Sequence, residues 1–422
     1  MQRLSIKPSR LSGSLSIPPS KSQTMRALIF GLMAEGKTRV QNVLNSPDTW
    51  AMVRAIQALG AQVCVDGSVI QIEGVSGKLQ PAEDVINAQN SGLVLRMIGA
   101  LAAHLSTYTV ITGDPSIRHL RPVAPLLNAL QQLGAFAAST KFDGSAPILI
   151  RGPIRPGRVK MSGKDSQPVS ALLIASAFLP GITEIEVVDP GEKPWIDLTL
   201  SWLDRFKIAY EREGYSYYKL AGSAHLKGFT YTVPADFSTA SYPLAAALVT
   251  GSELRLDNLD FTDTQGDKKV ISILQDLGAE IEISKGSLTV KKSLLKGSRI
   301  DVNDVIDALP LFAVLACFAE SPTEIVGGSI ARRKESDRIT SIASELKKMG
   351  AIIEEREDGL LIKPSPLRGA NLFSHHDHRI ALSLAVASMA AKGESTIDET
   401  QCIAKSYPTF FEDFSCIGGD FQ

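Results

Sequence analysis

Several features are scarce in this 422-residue chain, and each scarcity excludes a class of protein. There is no excess charge of one sign: 44 Lys and Arg oppose 45 Asp and Glu, so the basic surface of a nucleic-acid-binding protein is not expected. The longest nearly apolar runs, Ala308–Ala319 and Ile380–Ala391, are too short to cross a bilayer and predict buried helices, so no membrane partner is expected. The first residues, MQRLSIKPSRLSG, contain no apolar core of a secretory signal, so none is expected.

Cysteine is also scarce. The four cysteines, Cys64, Cys317, Cys402 and Cys416, are far apart and show neither a CxxC pair nor metal-ligand spacing. We therefore expect free, buried thiols in a reducing cytoplasm and no metal site. The remaining composition, with 44% hydrophobic and 21% charged residues, is typical of a soluble globular protein, and the length suggests two to three domains.

An internal repeat is the strongest organisational signal in the chain. A helical pattern that ends in a Leu-Gly-Ala-like stop and continues into a two-strand hairpin recurs six times, with turns predicted at Lys285-Gly286 and Asp358-Gly359. The stop residues, 68 to 74 positions apart, are Gly60, Gly134, Lys207, Gly278, Gly350 and Gly418. A second helix-to-strand signal lies between the stops, so each unit is predicted as strand, helix, strand, helix and hairpin.

This alternation predicts an α/β (α+β) fold of six βαβαββ-type units. Prolines and glycines near Ser12–Ser20 and Pro234–Ala235 suggest two crossings between domains. We therefore predict one three-unit domain at 20–234 and another at 1–19 plus 235–422.

Two sequence motifs have more than one interpretation. Gly31-LMAE-Gly36-Lys37-Thr38 matches the phosphate-binding pattern G-x4-G-K-[ST], which functions only between a preceding strand and a following helix. Here the order is helix then strand, so we interpret the motif as a helix stop. The cluster Ser374-HHDHR-Ile380 could bind a metal, but neighbouring side chains on one helix diverge. The favoured alternative is a helix start capped by Ser374 or Asp377, with His378 and Arg379 near an anion.

Short polar runs with Lys or Arg precede apolar helices at seven places. They are PPSKSQTMR, NSGLVLR, RHLRPV, GKDSQPVS, RRKESDR, DHR and CIAKSYP. Because a helix amino terminus offers unpaired amide donors and a positive dipole end, repeated cations there predict a site for a small molecule with several anionic groups. Glu335 and Asp307 are candidates for proton transfer, although an acid before an apolar run can simply cap a helix.

These motifs resemble those of the enolpyruvyl transferases, most closely of the EPSP synthase branch. The resemblance includes IDALP and TGDPSIRHLRPV, follows the order of motifs in the family, and runs from about Leu11 to Phe411. The resemblance implies two inverse α/β domains of three units each with the active site in the cleft between them. It implies transfer of the enolpyruvyl group of phosphoenolpyruvate to the 5-hydroxyl of shikimate 3-phosphate, with no cofactor. We expect a cytoplasmic monomer.

The resemblance also implies residue roles. In the first predicted domain, shikimate 3-phosphate would be bound by Lys21, Ser22, Arg26, Ser166 and Gln167. Lys21 would also lie near phosphoenolpyruvate and is counted as catalytic together with Asp307 and Glu335. Gly92 and Arg121 would line the phosphoenolpyruvate pocket. In the second predicted domain, Asp307 would take the proton of the 5-hydroxyl, and Glu335 would relay a proton at the methylene carbon. Lys334 would hold the ring near the 5-hydroxyl. Arg338 and Arg379 would bind the carboxylate and the phosphate, and Lys405 would support the leaving phosphate.

The chain departs from the family pattern at several positions. Asp165 and Glu192 replace serines, Trp195 replaces a tyrosine, and Ile330 and His376 stand where asparagine is usual. Asp165, still counted with the substrate-binding residues, would need Lys164 or Lys193 to offset its charge beside a phosphate. Leu93 and Met97 replace the usual Thr and Pro, which predicts reduced sensitivity to glyphosate, a longer mimic of phosphoenolpyruvate.

Two alternatives remain from the sequence. The related UDP-N-acetylglucosamine enolpyruvyl transferase usually carries a reactive cysteine before its Arg-Pro, and Gly113–Arg121 contains none. A catalytically silent relative is favoured only by the unusual shikimate phosphate subsite.

Overall fold

The computed structural model describes residues 3–422. The chain divides into two compact units. The first unit is Pro19–Val233, and the second unit is Pro234–Gln422 together with the leading segment up to Pro18.

The strands of the first unit are β3 (Glu35–Gln41), β4 (Gln62–Asp66), β5 (Val69–Val75), β6 (Ile86–Asn87), β7 (Thr109–Thr112), β8 (Phe136–Ser139), β9 (Ile148–Arg151), β10 (Arg158–Ser162), β11 (Thr183–Val188), β12 (Tyr210–Glu213), β13 (Tyr217–Leu220) and β14 (Thr230–Thr232). Those of the second unit are β1 (Arg3–Lys7), β2 (Ser12–Ser16), β15 (Glu253–Asp257), β16 (Ile281–Ser284), β17 (Ser287–Val290), β18 (Arg299–Asp301), β19 (Thr323–Val326), β20 (Ile352–Arg356), β21 (Gly359–Lys363), β22 (Asn371–Phe373), β23 (Ser395–Asp398) and β24 (Asp420–Phe421).

The α-helices are α1 (Lys21–Met33), α2 (Pro47–Ala58), α3 (Gly99–Ala102), α4 (Pro115–His119), α5 (Ala124–Gln132), α6 (Ser166–Ala177), α7 (Lys193–Arg205), α8 (Phe237–Thr250), α9 (Lys269–Asp276), α10 (Leu309–Cys317), α11 (Arg338–Lys348), α12 (His378–Ala390) and α13 (Phe410–Cys416). Shorter 3₁₀ turns cover Gly266–Lys268, Asn303–Ala308, Ser329–Arg333 and Thr400–Lys405, and a π-helical turn covers Val94–Ile98.

Across residues 3–422 the strands form six four-stranded sheets with one shared pattern of strand directions. In the sheet β18-β19-β21-β20, β18 and β19 are parallel and joined through α10, and the hairpin β20–β21 adds antiparallel to β19. The same order and connections recur in β6-β7-β9-β8 and β10-β11-β13-β12. The same strand directions recur in β14-β3-β5-β4, β2-β15-β17-β16 and β22-β23-β1-β24, but there one strand comes from a distant part of the chain. The predicted βαβαββ repeat and mixed α/β class are therefore confirmed.

Each unit buries its own hydrophobic core, to which its helices contribute apolar residues. Nearly all of α10 and the apolar residues of α12 lie in the second core, whereas apolar residues of α1 and α6 lie in the first. Asp or Ser caps start several of these helices, for example Ser20 at α1 and Asp377 at α12. Capping residues such as Ser20 and Asp377 therefore lie at the starts of buried helices.

The structure corrects three local predictions. The turn between β20 and β21 consists of Glu357 and Asp358, and Gly359 already belongs to β21. Cys64, on an outer strand, and Cys416, at the end of α13, are exposed rather than buried. Burial raises the pKa of the Cys317 thiol to about 12, so that cysteine fits the predicted inert thiol.

The phosphate-loop-like motif lies at a helix-to-strand junction, as predicted. Helix α1 ends at Met33 and β3 begins at Glu35, with Lys37 exposed on the strand. No helix within residues 3–422 has the length and apolar character needed to cross a membrane.

Candidate active site

The first polar run of the first unit opens α1. The Ser20 hydroxyl accepts a hydrogen bond from the Gln23 N–H, which caps the helix. Lys21 is the first helical residue, and its Nζ lies 3.9 Å from a carboxylate oxygen of Asp48. Ser22 follows and is half-buried. The Lys21 ammonium therefore lies at a helix end whose dipole already favours an anion.

Arg26, one turn into α1, is a buried cation tied to α7. Its Nε and Nη2 donate to the Thr199 hydroxyl at 3.1 and 2.8 Å, and Nη2 also donates to the Trp195 carbonyl at 3.2 Å. The remaining nitrogen donates to the Ser22 carbonyl. Burial lowers the pKa of Arg26 to about 10. These neutral partners fix the guanidinium without cancelling its charge.

Three polar side chains converge on Gly92, just before the π-helical turn. A Cβ added to Gly92 would lie 2.5 Å from Nη1 of Arg121, 2.7 Å from Nη1 of Arg96 and 3.1 Å from Oε1 of Gln167. Both arginines are buried. Glycine leaves room here for the two guanidinium groups, which a side chain would push aside and which together suit a small anion.

The start of α6 is capped by two carboxylates. Asp165 accepts from the Gln167 N–H at 3.0 Å and pairs with Nη2 of Arg96 at 2.9 Å. Glu192 accepts from both the N–H and the hydroxyl of Ser166, each at 2.9 Å. The Gln167 side-chain oxygen accepts from Arg96 at 2.8 Å. The cation that pairs with Asp165 is thus Arg96, which the sequence analysis left without a role.

Arg338 organises the polar residues of the second unit. Its Nε donates to Asp377 at 2.8 Å, Nη1 to Asp307 at 2.7 Å and Nη2 to Glu335 at 2.7 Å, with the side chain only 1% exposed. Burial alone would lower the pKa of Arg338, but the carboxylates of Asp377, Glu335 and Asp307 raise it well above its usual value. Arg338 therefore remains a cation that holds three acids in place.

Arg379 binds the other oxygen of Asp307. Its Nη2 donates to that oxygen at 3.0 Å, its backbone N–H donates to the Asp377 carboxylate at 2.9 Å, and its guanidinium lies 6.0 Å from the Tyr242 ring centre. Burial opposes the charge, yet Tyr242 and Asp307 raise the pKa of Arg379 above its usual value. Asp307 is therefore held between Arg338 and Arg379.

Glu335 is likewise held between two cations. Nζ of Lys405 lies 2.6 Å from one carboxylate oxygen, and Arg338 binds the other. Both Glu335 and Lys405 are buried. Lys334, at the end of the 3₁₀ turn Ser329–Arg333, is half-buried and directly precedes Glu335. The carboxylate is fixed in position while its charge is balanced.

The predicted histidine cluster separates into two environments. Nδ1 of His378 lies 3.8 Å from Glu335 and 3.6 Å from Asp377, and ligand atoms of these three residues come within 4.8 Å of one another. The same carboxylates already accept from Arg338 and Lys405, so the arrangement favours an anionic substrate over a metal ion. His375 instead contacts Glu345 at 2.9 Å. Asp377 caps α12, as one of the two predicted capping residues.

Comparisons with known proteins decide the family. The family model described as EPSP synthase (3-phosphoshikimate 1-carboxyvinyltransferase) matches residues 6–414. The chain belongs to the EPSP synthase family. It is 42% identical to the 3-phosphoshikimate 1-carboxyvinyltransferase of Chlamydia felis over 99% of this chain and 94% of that protein, and 42% identical to that of Acetivibrio thermocellus over 99% of both. A solved EPSP synthase structure from Acinetobacter baumannii is 29% identical, covers 100% of both chains and has a TM-score of 0.81.

Membership of the EPSP synthase family confirms the predicted enzyme class. The predicted site residues fall into two sets, and their individual roles stay predictions. The first unit carries Lys21, Ser22, Arg26, Gly92, Arg121, Asp165, Ser166 and Gln167, and the second unit carries Asp307, Lys334, Glu335, Arg338, Arg379 and Lys405.

Sequence reasoning missed the contacts of three residues in this candidate site. Arg96 lies four positions after Gly92, and that helical spacing was an available signal. Asp377 was recognised as a cap but not as the anchor of Arg338. Tyr242 lies 137 positions from Arg379, which it contacts, and an apolar sequence context gave no signal for that contact.

Proposed function

We propose that this member of the EPSP synthase family transfers the enolpyruvyl group of phosphoenolpyruvate to the 5-hydroxyl of shikimate 3-phosphate and releases phosphate. The observation that carries the proposal is the pair of carboxylates Asp307 and Glu335, each held between two cations that include Arg338. Two positioned carboxylates meet the need of a reaction with one proton transfer at oxygen and another at carbon.

The first step is an addition. Asp307 accepts the proton of the 5-hydroxyl while that oxygen forms a bond to the central carbon of phosphoenolpyruvate. Glu335, which enters this step protonated, delivers its proton to the methylene carbon. Positive charge develops on the central carbon, next to the substrate carboxylate. Arg338 and Arg379 would bind that carboxylate and the phosphate, a task that guanidinium groups suit. Arg338 would then share its donors with the three acids that it holds.

The second step is an elimination. Glu335 takes back a proton from the new methyl group while the bond between the central carbon and the phosphate oxygen breaks, and the leaving phosphate takes up the proton that Asp307 holds. Lys405, 2.6 Å from Glu335, would support the leaving phosphate. The bonds and protons balance between the two substrates, so the proposed reaction needs no cofactor, and positioning together with proton transfer supplies the rate.

The remaining residues would bind the substrates. Lys334 would hold the ring near the 5-hydroxyl. Gly92 and Arg121 would bind phosphoenolpyruvate, since the lack of a side chain at Gly92 lets the Arg121 guanidinium lie close to its backbone. The acceptor phosphate and ring would be bound by Lys21, Ser22, Arg26, Ser166 and Gln167.

A phosphate-release assay tests this function. We expect phosphate only when shikimate 3-phosphate and phosphoenolpyruvate are both present, with the enol ether product detected by proton NMR. Release with UDP-N-acetylglucosamine as acceptor would instead favour the related transferase, although Gly113–Arg121 contains no cysteine. Binding of both ligands without release would favour a silent relative.

The assembly and compartment stay predictions as well. We expect a monomer in the cytoplasm, and light scattering coupled to gel filtration measures the first of these directly. A mass near twice the 45.3 kDa of one chain would contradict the monomer.

A further inference from the structure

The carboxylate of Glu192 uses both donors of a residue proposed to bind the acceptor phosphate. One of its oxygens accepts from the Ser166 N–H and from the Ser166 hydroxyl, each at 2.9 Å. The two residues are 1% and 2% exposed. Ser166 is the first residue of α6, so its N–H is one of the amides that a helix leaves without a partner. The protein's own anion therefore lies where a helix end favours a bound anion.

The backbone holds Glu192 in this position. Its φ of 47° and ψ of 42° are left-handed, a conformation that is unfavourable for a non-glycine residue. Glu192 directly precedes α7, but its side chain makes no capping hydrogen bond to that helix. The side chain is directed instead to the start of α6. The contact with Ser166 therefore offsets a backbone cost, which is expected of a specific arrangement.

The neighbouring acid, Asp165, is balanced in a different way. It pairs with Arg96 at 2.9 Å and accepts from the Gln167 N–H at 3.0 Å. Asp165 thus has its own cation and a different amide. Of the two acids at this helix start, Glu192 is the one that takes the Ser166 donors.

We propose that Glu192 is a specificity-determining residue whose carboxylate competes with the phosphate of the acceptor for the Ser166 donors. This inference rests on the proposed function, in which Ser166 and Gln167 hold that phosphate. A phosphate that reaches Ser166 must displace Glu192 or lie beside it, and two anions at one site repel each other. The competition weakens binding of the phosphorylated acceptor and leaves the unphosphorylated ring and phosphoenolpyruvate unaffected.

Two variants and a control test the competition. Glu192→Gln removes the charge and keeps the shape, and Glu192→Asn suits a left-handed backbone. Glu213→Gln makes the same change of net charge at an exposed position of β12. Titration calorimetry with shikimate 3-phosphate and with shikimate then measures the two affinities. We expect Glu192→Gln to lower the Kd for shikimate 3-phosphate at least tenfold, while the Kd for shikimate and the KM for phosphoenolpyruvate change less than twofold.

The control variant should leave all three constants unchanged. An unchanged or higher Kd for shikimate 3-phosphate in Glu192→Gln would overturn the inference, as would an equal gain for shikimate. Glu192→Asn repeats the test with a shorter side chain. Failure of the proposed function is separate, because it appears as a lack of phosphate release by the unmodified enzyme. Turnover by that enzyme together with unchanged affinities in the variants would contradict the Glu192 inference alone.

Discussion

The two sets of site residues handle buried charge in opposite ways. In the first unit, the Arg26 guanidinium donates to a hydroxyl and to backbone carbonyls, and burial lowers the pKa of Arg26 to about 10. In the second unit, the pKa values of Arg338 and Arg379 are raised, because carboxylates contact both residues. Burial disfavours charge in both places, so the partners decide the sign of the shift.

This difference suits two tasks. The ion-pair cluster of the second unit comprises Asp307, Glu335, Asp377, Arg338, Arg379 and Lys405. The charges of its three acids and three cations balance. The hydrogen bonds among them hold the neighbours in place when one carboxylate gains or loses a proton. The first unit instead presents cations near helix starts. Arg26 has neutral partners, and Lys21 and Arg96 each face one carboxylate rather than several. Such helix starts favour anions. The comparison predicts that chemistry depends on the second set and acceptor affinity on the first.

The largest effects should come from the two acids of the ion-pair cluster. We expect Asp307→Asn and Glu335→Gln each to lower kcat by roughly 10²–10⁴, the usual contribution of general acid–base groups. KM values should change less, because the cations that bind substrate remain. Steady-state kinetics with both substrates measures this.

Matched controls exist on the surface of the same unit. Asp276→Asn and Glu320→Gln make the same chemical changes at exposed positions and should keep kcat within about twofold. Near-normal turnover in both Asp307→Asn and Glu335→Gln would remove the basis for assigning them to proton transfer.

A second prediction compares the two buried arginines that bind acids. Arg338→Met leaves three carboxylates near one another, so we expect a loss of about 3–5 kcal/mol in the free energy of unfolding. Arg96→Met leaves Asp165, which still caps α6, and should cost less, about 1–2 kcal/mol. Urea unfolding followed by circular dichroism measures both values.

Tryptophan fluorescence separates the two units in that experiment. All three tryptophans, at positions 50, 195 and 202, lie in the first unit. Arg96→Met should therefore shift the fluorescence transition. A larger loss of stability in Arg96→Met than in Arg338→Met would contradict the stated difference between the two sets.

Local signals predicted the fold well, and they predicted the site only in part. The βαβαββ repeat and the starts of α1 and α12 depend on caps and glycines within a few residues, which the sequence displays directly. The contacts of Arg338 join residues 31 and 39 positions apart, and Glu192 reaches Ser166 across 26 positions. Such pairings arise only from tertiary packing. Sequence could thus identify Asp307 and Arg338 as candidates, but not that one guanidinium binds three acids.

A third prediction concerns the helix behind Gly92, where the effect should be smaller. Leu93 and Met97 are buried in the first core, and a π-helical turn covers Val94–Ile98. Because Gly92 already lies close to two guanidinium groups, a small shift of its backbone would hinder a longer ligand more than phosphoenolpyruvate. We expect Leu93→Thr/Met97→Pro to lower the ratio of the glyphosate Ki to the phosphoenolpyruvate KM about tenfold, equivalent to ~1.4 kcal/mol.

Leu93→Thr alone serves as the milder test, since it leaves the helical backbone donor at Met97 in place. It should lower the ratio in the same direction by a smaller factor. If neither variant changes the ratio, these two residues do not set glyphosate sensitivity.

The smallest expected effect lies outside both sets of site residues. Lys37 belongs to the phosphate-loop-like motif but is exposed on β3, after α1 has ended. A phosphate loop needs its backbone amides at the start of a following helix, and here a strand follows. Lys37→Ala should therefore keep kcat and both KM values within about twofold, and ATP and GTP should show no saturable binding by calorimetry. Micromolar nucleotide affinity that disappears in Lys37→Ala would show that this helix-to-strand junction binds phosphate. Anion binding would then not be confined to the helix starts of the first unit.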